Sequence, residues 1–388
     1  MKISLKNIGK IGEVSVEICG ITVIAGENNT GKSTVGRALF ALFNSFYGIE
    51  QQIRAERMRN IETLIMMMYQ GLTNRILVRF NVEEIVSGII ETIDLYRKDR
   101  EKLKKYILDE ILKDDDSFEK YRDSSLADEF ITQIATGLNI TDDDILKLVL
   151  RKKLDAEFNG QVNNVFLENT GEMILSVKGQ EIKAVLEDNR VKRVDGKLEL
   201  RMECVYIDDP FILDDRYSPY NPNFLYLDHR KNLQEKLYKE ANVNLIDEII
   251  REQKLEKIYN KLSDVCSGNI VINKDSSLGY QRKNMDKVLA AKNLSTGFKT
   301  FAILKTLLQN GSIDYHGTII LDEPEIHLHP EWQLLFAELI VLLQKEFGMH
   351  ILLNTHSPYF LNAIEVYSAK YGINDQCKYY LASSENDI

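Results

Sequence analysis

A segment near the N-terminus reads Gly26-Glu27-Asn28-Asn29-Thr30-Gly31-Lys32-Ser33-Thr34 and fits the pattern Gly-x4-Gly-Lys-[Ser/Thr] in full. It follows an apolar, β-branched run at residues 21–25, and apolar residues recur at helical spacing from Lys32 to Phe46. The two glycines allow the backbone to curl so that successive N–H groups face an anion, and a helix N-terminus adds favourable electrostatics. The segment therefore predicts a phosphate-binding loop between a buried strand and a helix.

The residues of this loop have predicted roles in binding ATP and Mg²⁺. Lys32 is expected to reach the β and γ phosphates, and the hydroxyl of Ser33 is expected to ligate Mg²⁺. The other positions expected to contact the nucleotide are Gly26, Asn28, Asn29, Thr30, Gly31 and Thr34.

A second motif lies at residues 317–324, where an apolar strand pattern ends in Asp322 and Glu323. In a protein with a phosphate loop, an Asp at this place helps to hold Mg²⁺. A carboxylate one residue further on can accept a proton from the attacking water. Asp322 is therefore predicted to be a metal ligand and Glu323 the general base. An ordinary buried strand followed by an acidic turn is the alternative interpretation.

The rest of the pattern divides the chain into regions of strands and of helices. Strand patterns occupy about residues 1–25, recur between residues 173 and 207, and alternate with helices in the C-terminal third. Such alternation predicts parallel strands joined by crossover helices. Residues 49–158 are charged, low in Gly and Pro and without sustained heptads, which predicts a packed helical insertion. Helical spacing also occurs between residues 232 and 262.

The composition limits the classes of protein to which the chain can belong. With 388 residues, 44% of them hydrophobic, the chain is long enough for two or three packed units. A net charge of −10 argues against nucleic-acid binding over the whole surface. The four cysteines lie far apart, which favours reduced thiols in the cytoplasm. No uncharged apolar run approaches the roughly 18 residues that span a bilayer, so we expect a soluble protein without membrane contact.

Two further pieces flank the acidic strand. Residues 293–300 place Ser295 and Gly297 at the start of a predicted helix, an arrangement that can bind an anion. An ordinary helix cap is the alternative. His356 follows the next predicted strand, and a lone histidine at such a place is more often structural than catalytic.

These four elements, in this order, resemble the ABC ATPase superfamily, and within it the branch of RecF, SMC and OLD proteins. The chain also looks like the AAA family ATPases of prokaryotic phage-defence systems. The resemblance covers about residues 1–45 and 160–385. The residues that carry it are Asn28-Asn29, residues 322–330 (Asp-Glu-Pro-Glu-Ile-His-Leu-His-Pro) and Thr355-His356-Ser357-Pro358.

The resemblance implies an α/β fold with an ABC ATPase head of two lobes, formed by residues 1–48 and 159–388. This head would contain a mixed or parallel sheet around the phosphate loop and an antiparallel β subdomain. The large helical insertion would occupy residues 49–158.

The resemblance also implies that the nucleotide site is shared between two copies of the chain. Ser295 and Gly297 look like the signature motif, which would contact the γ-phosphate bound by a second protomer. ATP would then be sandwiched between two heads. Thr296 and Phe298 stand where transporters usually have Gly and Gln, which puts the form of this contact in doubt.

The implied catalytic set consists of Lys32, Glu323 and His356, with ATP and Mg²⁺ as cofactors. His356 looks like the switch histidine that senses the γ-phosphate, and His329 falls at the D-loop position, which couples two sites. Surface residues of a helix-entry turn are the alternative for His329. Two places remain candidates for the glutamine loop, residues 206–210 and Gln161.

The implied function is hydrolysis of ATP to ADP and phosphate by a homodimer or higher homo-oligomer. About 30 residues follow His356, too few for another domain. The implied effector, a nuclease or toxin in prokaryotic anti-phage defence, is therefore expected on a separate chain. The alternative is a DNA-repair or chromosome-maintenance ATPase that binds DNA directly, through a basic surface to which residues 102–105 and 151–153 contribute. A transporter subunit is the least supported function, because the phosphate loop and the signature motif of such a subunit lie close together in sequence. Here Lys32 and Ser295 lie 263 positions apart.

Overall fold

The computed structural model describes residues 1–77, 79–167, 170–200, 202–216, 227–239 and 256–383. The chain forms two compact units. Met1–Tyr47 with Leu150–Ile388 is called the head below, and Gly48–Val149 is called the helical unit. The second boundary lies within a helix, so that residues 150–158, expected in the insertion, belong to the head.

The strands of the described residues all lie in the head. They are β1 (Lys2–Ile8), β2 (Ile11–Glu17), β3 (Ile21–Gly26), β4 (Thr170–Val177), β5 (Gln180–Glu187), β6 (Arg190–Gly196), β7 (Cys204–Ile207), β8 (Asn269–Ile272), β9 (Leu278–Gln281), β10 (Val288–Ala290), β11 (Thr318–Asp322), β12 (His350–Thr355) and β13 (Cys377–Ala382).

The helices are numbered in the same way. They are α1 (Lys32–Phe46), α2 (Ile49–Thr73), α3 (Val82–Glu91), α4 (Ile93–Lys98), α5 (Arg100–Asp114), α6 (Ser125–Leu138), α7 (Asp142–Phe158), α8 (Asp228–Leu237), α9 (described over residues 256–265), α10 (Thr296–Gln309), α11 (Pro330–Phe347) and α12 (Pro358–Tyr371). Of the helical pattern predicted over residues 232–262, residues 240–255 lie outside the described residues.

A five-stranded parallel sheet forms the centre of the head. Its order is β13-β3-β12-β11-β7, and each neighbouring pair is parallel. The carboxyl ends of β3, β11 and β12 therefore meet at one edge, where Asp322 pairs in register with Asn354, and Thr355 with Ala25. The predicted parallel sheet is confirmed.

Two antiparallel sheets complete the head. The larger has the order β2-β1-β4-β5-β6, and the smaller has the order β10-β9-β8. The first joins the N-terminal hairpin to strands that follow the helical unit in sequence, because β1 pairs with both β2 and β4. The predicted fold class, α/β with parallel and antiparallel sheets and a large helical region, is confirmed.

The local sequence explains where the elements around the parallel sheet begin and end. Strands β11 and β12 are continuous apolar runs, and Ile319 and Leu353 are fully buried, as expected for parallel strands covered on both faces. Helix α11 begins at Pro330, whose fixed φ suits the first helical position. It ends before Gly348, which has the left-handed φ of 62° that closes many helices.

The helical unit has a hydrophobic core of its own, to which helices α2, α3, α5 and α6 contribute most of the residues. Arg57 of α2 is buried and satisfies carbonyl groups at the end of α6 and just after it. Its guanidinium donates to the carbonyl oxygens of Leu138 at 3.3 Å and Ile140 at 2.6 Å, and to Asp142 at 2.7 Å. A helix end needs such partners when it is buried. Across the parts of the chain described above, no helix has the length and apolar character needed to cross a bilayer.

A buried cluster of charges in the head joins the last turn of α7 to α8 and β7. His229 is fully buried, and Glu157 holds it twice: Nδ1 lies 2.7 Å from Oε2, and the backbone N–H donates to Oε1 at 2.7 Å. Nε2 lies 3.1 Å from Oδ2 of Asp208, an ion-pair contact without hydrogen-bond alignment, and Arg230 donates to the same carboxylate. Burial lowers the pKa of His229, but these carboxylates outweigh burial and raise the pKa to about 9.

The raised pKa of His229 predicts that stability depends on pH. Its positive charge contributes fully to folding below about pH 6.5, the ordinary pKa of histidine, and this contribution is lost as the pH rises through about 9. Between these values the free energy of unfolding should fall by about 1.4 kcal/mol per pH unit more in the wild type than in His229→Gln. Urea denaturation at a series of pH values measures this difference.

The matched control for this prediction is His350→Gln. Burial lowers the pKa of His350, so that this side chain is neutral throughout the same pH range. His350→Gln should therefore keep the slope of the wild type. Equal slopes in the wild type and His229→Gln would contradict a charged His229.

Candidate nucleotide-binding site

The phosphate loop connects β3 to α1, as predicted from its pattern. Gly31 precedes the helix with a φ of 90°, a conformation that glycine adopts without strain. Helix α1 has no acidic residue in its first turn, and the first N–H groups of a helix have no partners within it. The N–H groups of Lys32, Ser33 and Thr34 are therefore free of helical partners, as an anion-binding role would require.

The middle of the loop is held by contacts of its own side chains. Asn29 has a φ of 71°, which Asn tolerates better than most residues, and its Oδ1 accepts a hydrogen bond from Lys10 at 2.5 Å. Thr30 Oγ1 donates to the carbonyl oxygen of Glu27 at 2.9 Å. Asn28 is exposed at the tip. The loop is thus braced from the turn between β1 and β2, where Lys10 lies.

Lys32 is buried inside the loop. Its Nζ donates to the carbonyl oxygens of Gly26 at 2.9 Å and Glu27 at 2.6 Å, and it lies 3.7 Å from Oε1 of Glu323. The positive charge therefore lies between the loop backbone and the end of β11.

Both carboxylate oxygens of Asp322 are held by neutral hydrogen-bond donors. Asn354 Nδ2 donates to Oδ1 at 2.9 Å, and the hydroxyl of Tyr206 donates to Oδ2 at 2.7 Å. Burial raises the pKa of Tyr206 well above its ordinary value, so the phenol keeps the proton that it donates. Asp322 consequently presents an oriented carboxylate at the carboxyl end of β11.

Glu323 has a backbone conformation that the sequence does not reveal. Its φ is 49°, in the left-handed region, which costs a non-glycine residue about 1–2 kcal/mol. Its N–H donates to the carbonyl oxygen of Asn354 at 2.9 Å, which fixes the turn after β11. Oε1 of Glu323 lies 3.3 Å from Nδ1 of His356. The three predicted catalytic residues, Lys32, Glu323 and His356, therefore lie together.

Ser295 and Gly297 lie at the start of α10, which also has no acidic residue in its first turn. They line a cavity of about 450 Å³ together with Thr296, His327, His329 and Trp332. A Cβ on Gly297 would lie 2.8 Å from the carbonyl oxygen of His327, so glycine permits the close approach of α10 to the turn after β11. The predicted signature and D-loop residues are thus brought together, in a cavity other than that of the phosphate loop.

A cavity of about 700 Å³ opens beside the phosphate loop. Asn29 and Thr30 line one side, and the turn from β1 to β2 lines another. The remaining wall carries apolar side chains that are largely exposed to solvent, among them Phe166, Leu167 and Leu381. The cavity thus lies beside the N-terminus of α1 and combines polar loop residues with an apolar wall, as small-molecule sites commonly do.

A sequence model of the family described as "AAA ATPase domain" matches residues 1–361. The chain belongs to this family. It is therefore an ATPase, as predicted, and the assignment to AAA family ATPases is confirmed.

The ATPase is similar to two curated proteins over part of its length. It is 29% identical over 153 residues to the "Septu protein PtuA" of Bacillus thuringiensis, which covers 34% of this chain and 38% of that protein. It is 28% identical over 129 residues to the "Retron Vc95 probable ATPase" of Vibrio cholerae serotype O1 biovar El Tor, covering 30% of this chain and 24% of that protein. The matches thus span well under half of the curated relatives.

Solved structures of SMC heads are also similar to this ATPase. One is the SmcHead bound to the C-winged helix domain of ScpA, with a TM-score of 0.43, 11% identity and coverage of 93% of this chain and 91% of that chain. Another is the SMC head domain from Thermotoga maritima, with a TM-score of 0.32, 12% identity and coverage of 93% and 90%. Both TM-scores are low. The order and register of the strands therefore describe the fold of this ATPase.

Sequence reasoning missed three residues of the candidate site. Tyr206 and Asn354 hold Asp322, and Glu325 is buried behind the turn, where it accepts a hydrogen bond from Thr355. Burial raises the pKa of the Glu325 carboxyl. Tyr206 lies in the segment considered for the glutamine loop, Glu325 lies within residues 322–330, and Asn354 directly precedes Thr355, but no local pattern indicates these contacts.

The close approach at Gly297 predicts an unusual effect of alanine. Gly→Ala inside a helix usually stabilises it by about 1 kcal/mol. Gly297→Ala should instead destabilise the ATPase, because the new Cβ would lie 2.8 Å from a backbone oxygen and 3.3 Å from the Trp332 ring. Thermal denaturation of the purified variant measures the change.

Gly71→Ala is the matched control. Gly71 also lies in a helix, α2, and a Cβ there would meet a flexible leucine side chain at 3.4 Å, an ordinary contact. This variant should be as stable as the wild type or more so. A higher melting temperature of Gly297→Ala would contradict the prediction that the close approach at this position excludes a Cβ.

Proposed function

We propose that this ATPase binds ATP between two copies of the chain, and that closing and opening of this dimer controls a separate effector in prokaryotic defence against phage. The main observation that supports the dimer is that two helix N-termini with the features of phosphate-binding sites lie in two different cavities. One begins α1 at the phosphate loop, and the other begins α10 at Ser295 and Gly297.

The start of α10 has the chemistry expected for a phosphate that another copy holds. Ser295 is exposed, and its side chain does not cap the helix. A hydroxyl and helix N–H groups are then directed at the cavity, where His327 and His329 add further donors. These groups match the role that a signature motif has in a shared ATP site.

Within the phosphate-loop site, three side chains have proposed roles in hydrolysis. Lys32 binds the β and γ phosphates, exchanging its backbone carbonyl partners for charged oxygens. Glu323 accepts a proton from the attacking water, and its position is fixed by the hydrogen bond of its N–H to Asn354. His356, 3.3 Å from the Glu323 carboxylate, orients this base and contacts the γ-phosphate.

Ser33 and Asp322 are the proposed ligands of Mg²⁺. A hydroxyl and a carboxylate are oxygen donors of the kind that this ion prefers, and the donors that hold Asp322 are both neutral. Neither donor therefore brings a positive charge to this carboxylate. When bound, Mg²⁺ neutralises charge on the β and γ phosphates.

The cavity beside the loop is the proposed site of the adenosine moiety. Phe166, Leu167 and Leu381 offer an apolar surface for the base, and Lys10 lies at the phosphate side of the same cavity. A base that covers these side chains removes apolar area from water and thereby contributes to affinity.

The alternative function, direct binding of DNA, has less support. Basic residues suggested for such a surface have acidic partners: Lys102 pairs with Asp99 at 3.3 Å, Lys104 with Asp128 at 2.8 Å, Arg151 with Asp155 at 3.3 Å and Lys153 with Asp228 at 2.9 Å. Ion pairs of this kind reduce the positive field on which phosphate-backbone binding depends.

The proposed role in defence is supported by the partial relatives, which belong to Septu and retron defence systems. Both matches cover a minority of those proteins. An effector on a separate chain is consistent with a chain whose matched family region, residues 1–361, is an ATPase domain.

The dimer can be tested with a variant that binds ATP without hydrolysing it. Glu323→Gln should be monomeric without nucleotide and dimeric with ATP and Mg²⁺, because hydrolysis no longer separates the heads. The double variant Glu323→Gln with Ser295→Arg should bind ATP but stay monomeric, since a long cation would occupy the place of the γ-phosphate of the other copy. Light scattering coupled to size-exclusion chromatography measures both masses.

Two further variants make the result specific. Ser263→Arg, at an exposed position of α9, controls for the added arginine and should leave ATP-dependent dimers of Glu323→Gln intact. Lys32→Ala should bind no ATP and form no dimer. An ATP-dependent dimer of the Ser295→Arg double variant would disprove the shared site, and normal hydrolysis by Glu323→Gln would remove its role as base.

The role in defence predicts a phenotype and a partner. A bacterial strain carrying the gene with its neighbours should form fewer phage plaques, and Lys32→Ala should abolish this protection because the switch can no longer bind ATP. The product of a neighbouring gene should co-purify with the ATPase, and its loss should also abolish protection. Protection that survives Lys32→Ala would contradict control by ATP, and recovery of bound DNA in place of a protein would favour the alternative.

A further inference from the structure

Tyr206 connects Asp322 to the interior of the head. It lies on β7 and pairs in register with Ile320 of β11, two residues before Asp322. The ring is fully buried, and its hydroxyl is so close to α1 that a Cβ on Gly36 would lie 3.2 Å from it. The position of the hydroxyl is therefore set by packing, and its hydrogen bond holds Oδ2 of Asp322 at 2.7 Å.

One face of the Tyr206 ring packs against the ring of His229. The two rings are stacked, with centroids 4.3 Å apart and planes 21° apart. Phe40 of α1 packs edge-on against both rings, so neither can shift without the other. His229 in turn is held at its ring and at its backbone by the Glu157 carboxylate, as described above.

Glu157 lies in the last turn of α7, and this helix is shared between the two units. Residues 142–149 of α7 belong to the helical unit, and residues 150–158 belong to the head. A continuous series of contacts thus runs from α7 through Glu157, His229 and Tyr206 to Asp322. The contacts of His229 with Glu157 and Tyr206 are buried, and the hydrogen bond from Tyr206 to Asp322 is partly buried.

We propose that Tyr206 is a positioning residue for Asp322, and that Glu157 and His229 make this position, and with it metal binding at the ATP site, depend on the last turn of helix α7. The inference rests on the proposed role of Asp322 as a metal ligand. A displacement of α7 moves the imidazole and the phenol together and thereby turns the carboxylate relative to the phosphate loop.

Groups that hold a metal ligand in place commonly affect metal affinity by tenfold or more. Tyr206→Phe keeps the buried ring and removes the hydroxyl alone. We expect the Mn²⁺ concentration that gives half-maximal binding of a fluorescent, non-hydrolysable ATP analogue to rise about tenfold in this variant. Binding of the analogue in EDTA and the melting temperature should stay at the wild-type values.

Tyr371→Phe is the matched control, because it removes another hydrogen bond from a tyrosine to a carboxylate, that of Tyr371 to Glu338 at 2.5 Å in the same unit. Its half-saturating Mn²⁺ concentration should equal that of the wild type. An unchanged Mn²⁺ requirement in Tyr206→Phe would overturn the role of Tyr206. Failure of the wild type to bind the analogue would instead overturn the proposed function, and the inference with it.

The link to α7 is tested by a double-mutant cycle. Glu157→Gln should raise the Mn²⁺ requirement in the wild-type background but have no further effect in Tyr206→Phe, because Glu157 acts through the phenol. Glu157→Asp shortens the side chain and thereby withdraws the same carboxylate from His229. This variant is used in the cycle if Glu157→Gln does not fold. Additive effects of the two substitutions, or no effect of Glu157 in either background, would overturn the link.

Discussion

The parallel pairing of β3, β12 and β11 is the constraint on which the rest of the site depends. Parallel strands have their carboxyl ends at one edge, so the phosphate loop, Asp322 and His356 come together although they are far apart in sequence. The register is equally important, because it places Asn354 opposite Asp322. The side chain of Asn354 then holds Asp322, and its carbonyl group holds the N–H of Glu323. A slip of one residue would turn those side chains to the other face.

Features encoded by neighbouring residues could be predicted from the sequence. The phosphate loop follows from a short motif, and α1 has the predicted bounds Lys32–Phe46 because its apolar face and its flanking glycines are local signals. The parallel sheet follows from the alternation of strands and helices. The left-handed φ of Glu323 could not be predicted, since nothing in an Asp-Glu-Pro sequence indicates it and the turn is fixed by a partner on β12.

Contacts between distant parts of the chain were also beyond sequence reasoning. The hydrogen bond from Tyr206 to Asp322 spans 116 positions, and that between His229 and Glu157 spans 72. Both depend on how α7, α8 and β7 pack, and a single sequence carries no record of that packing. The predicted end of the helical insertion, residue 158, and the boundary between the compact units, residues 149 and 150, differ for a related reason: α7 is one uninterrupted helical pattern, and only its packing divides it.

The strand order has a consequence for how the protein is made. Strand β3 ends at residue 26, yet its two neighbours in the sheet, β12 and β13, begin at residues 350 and 377. Until β12 is synthesised this apolar strand has no partner in its sheet, and an unpaired apolar strand is prone to aggregation. Residues 21–26 therefore need shielding until β12 and β13 are made, and chaperones that hold unfinished chains provide shielding of this kind.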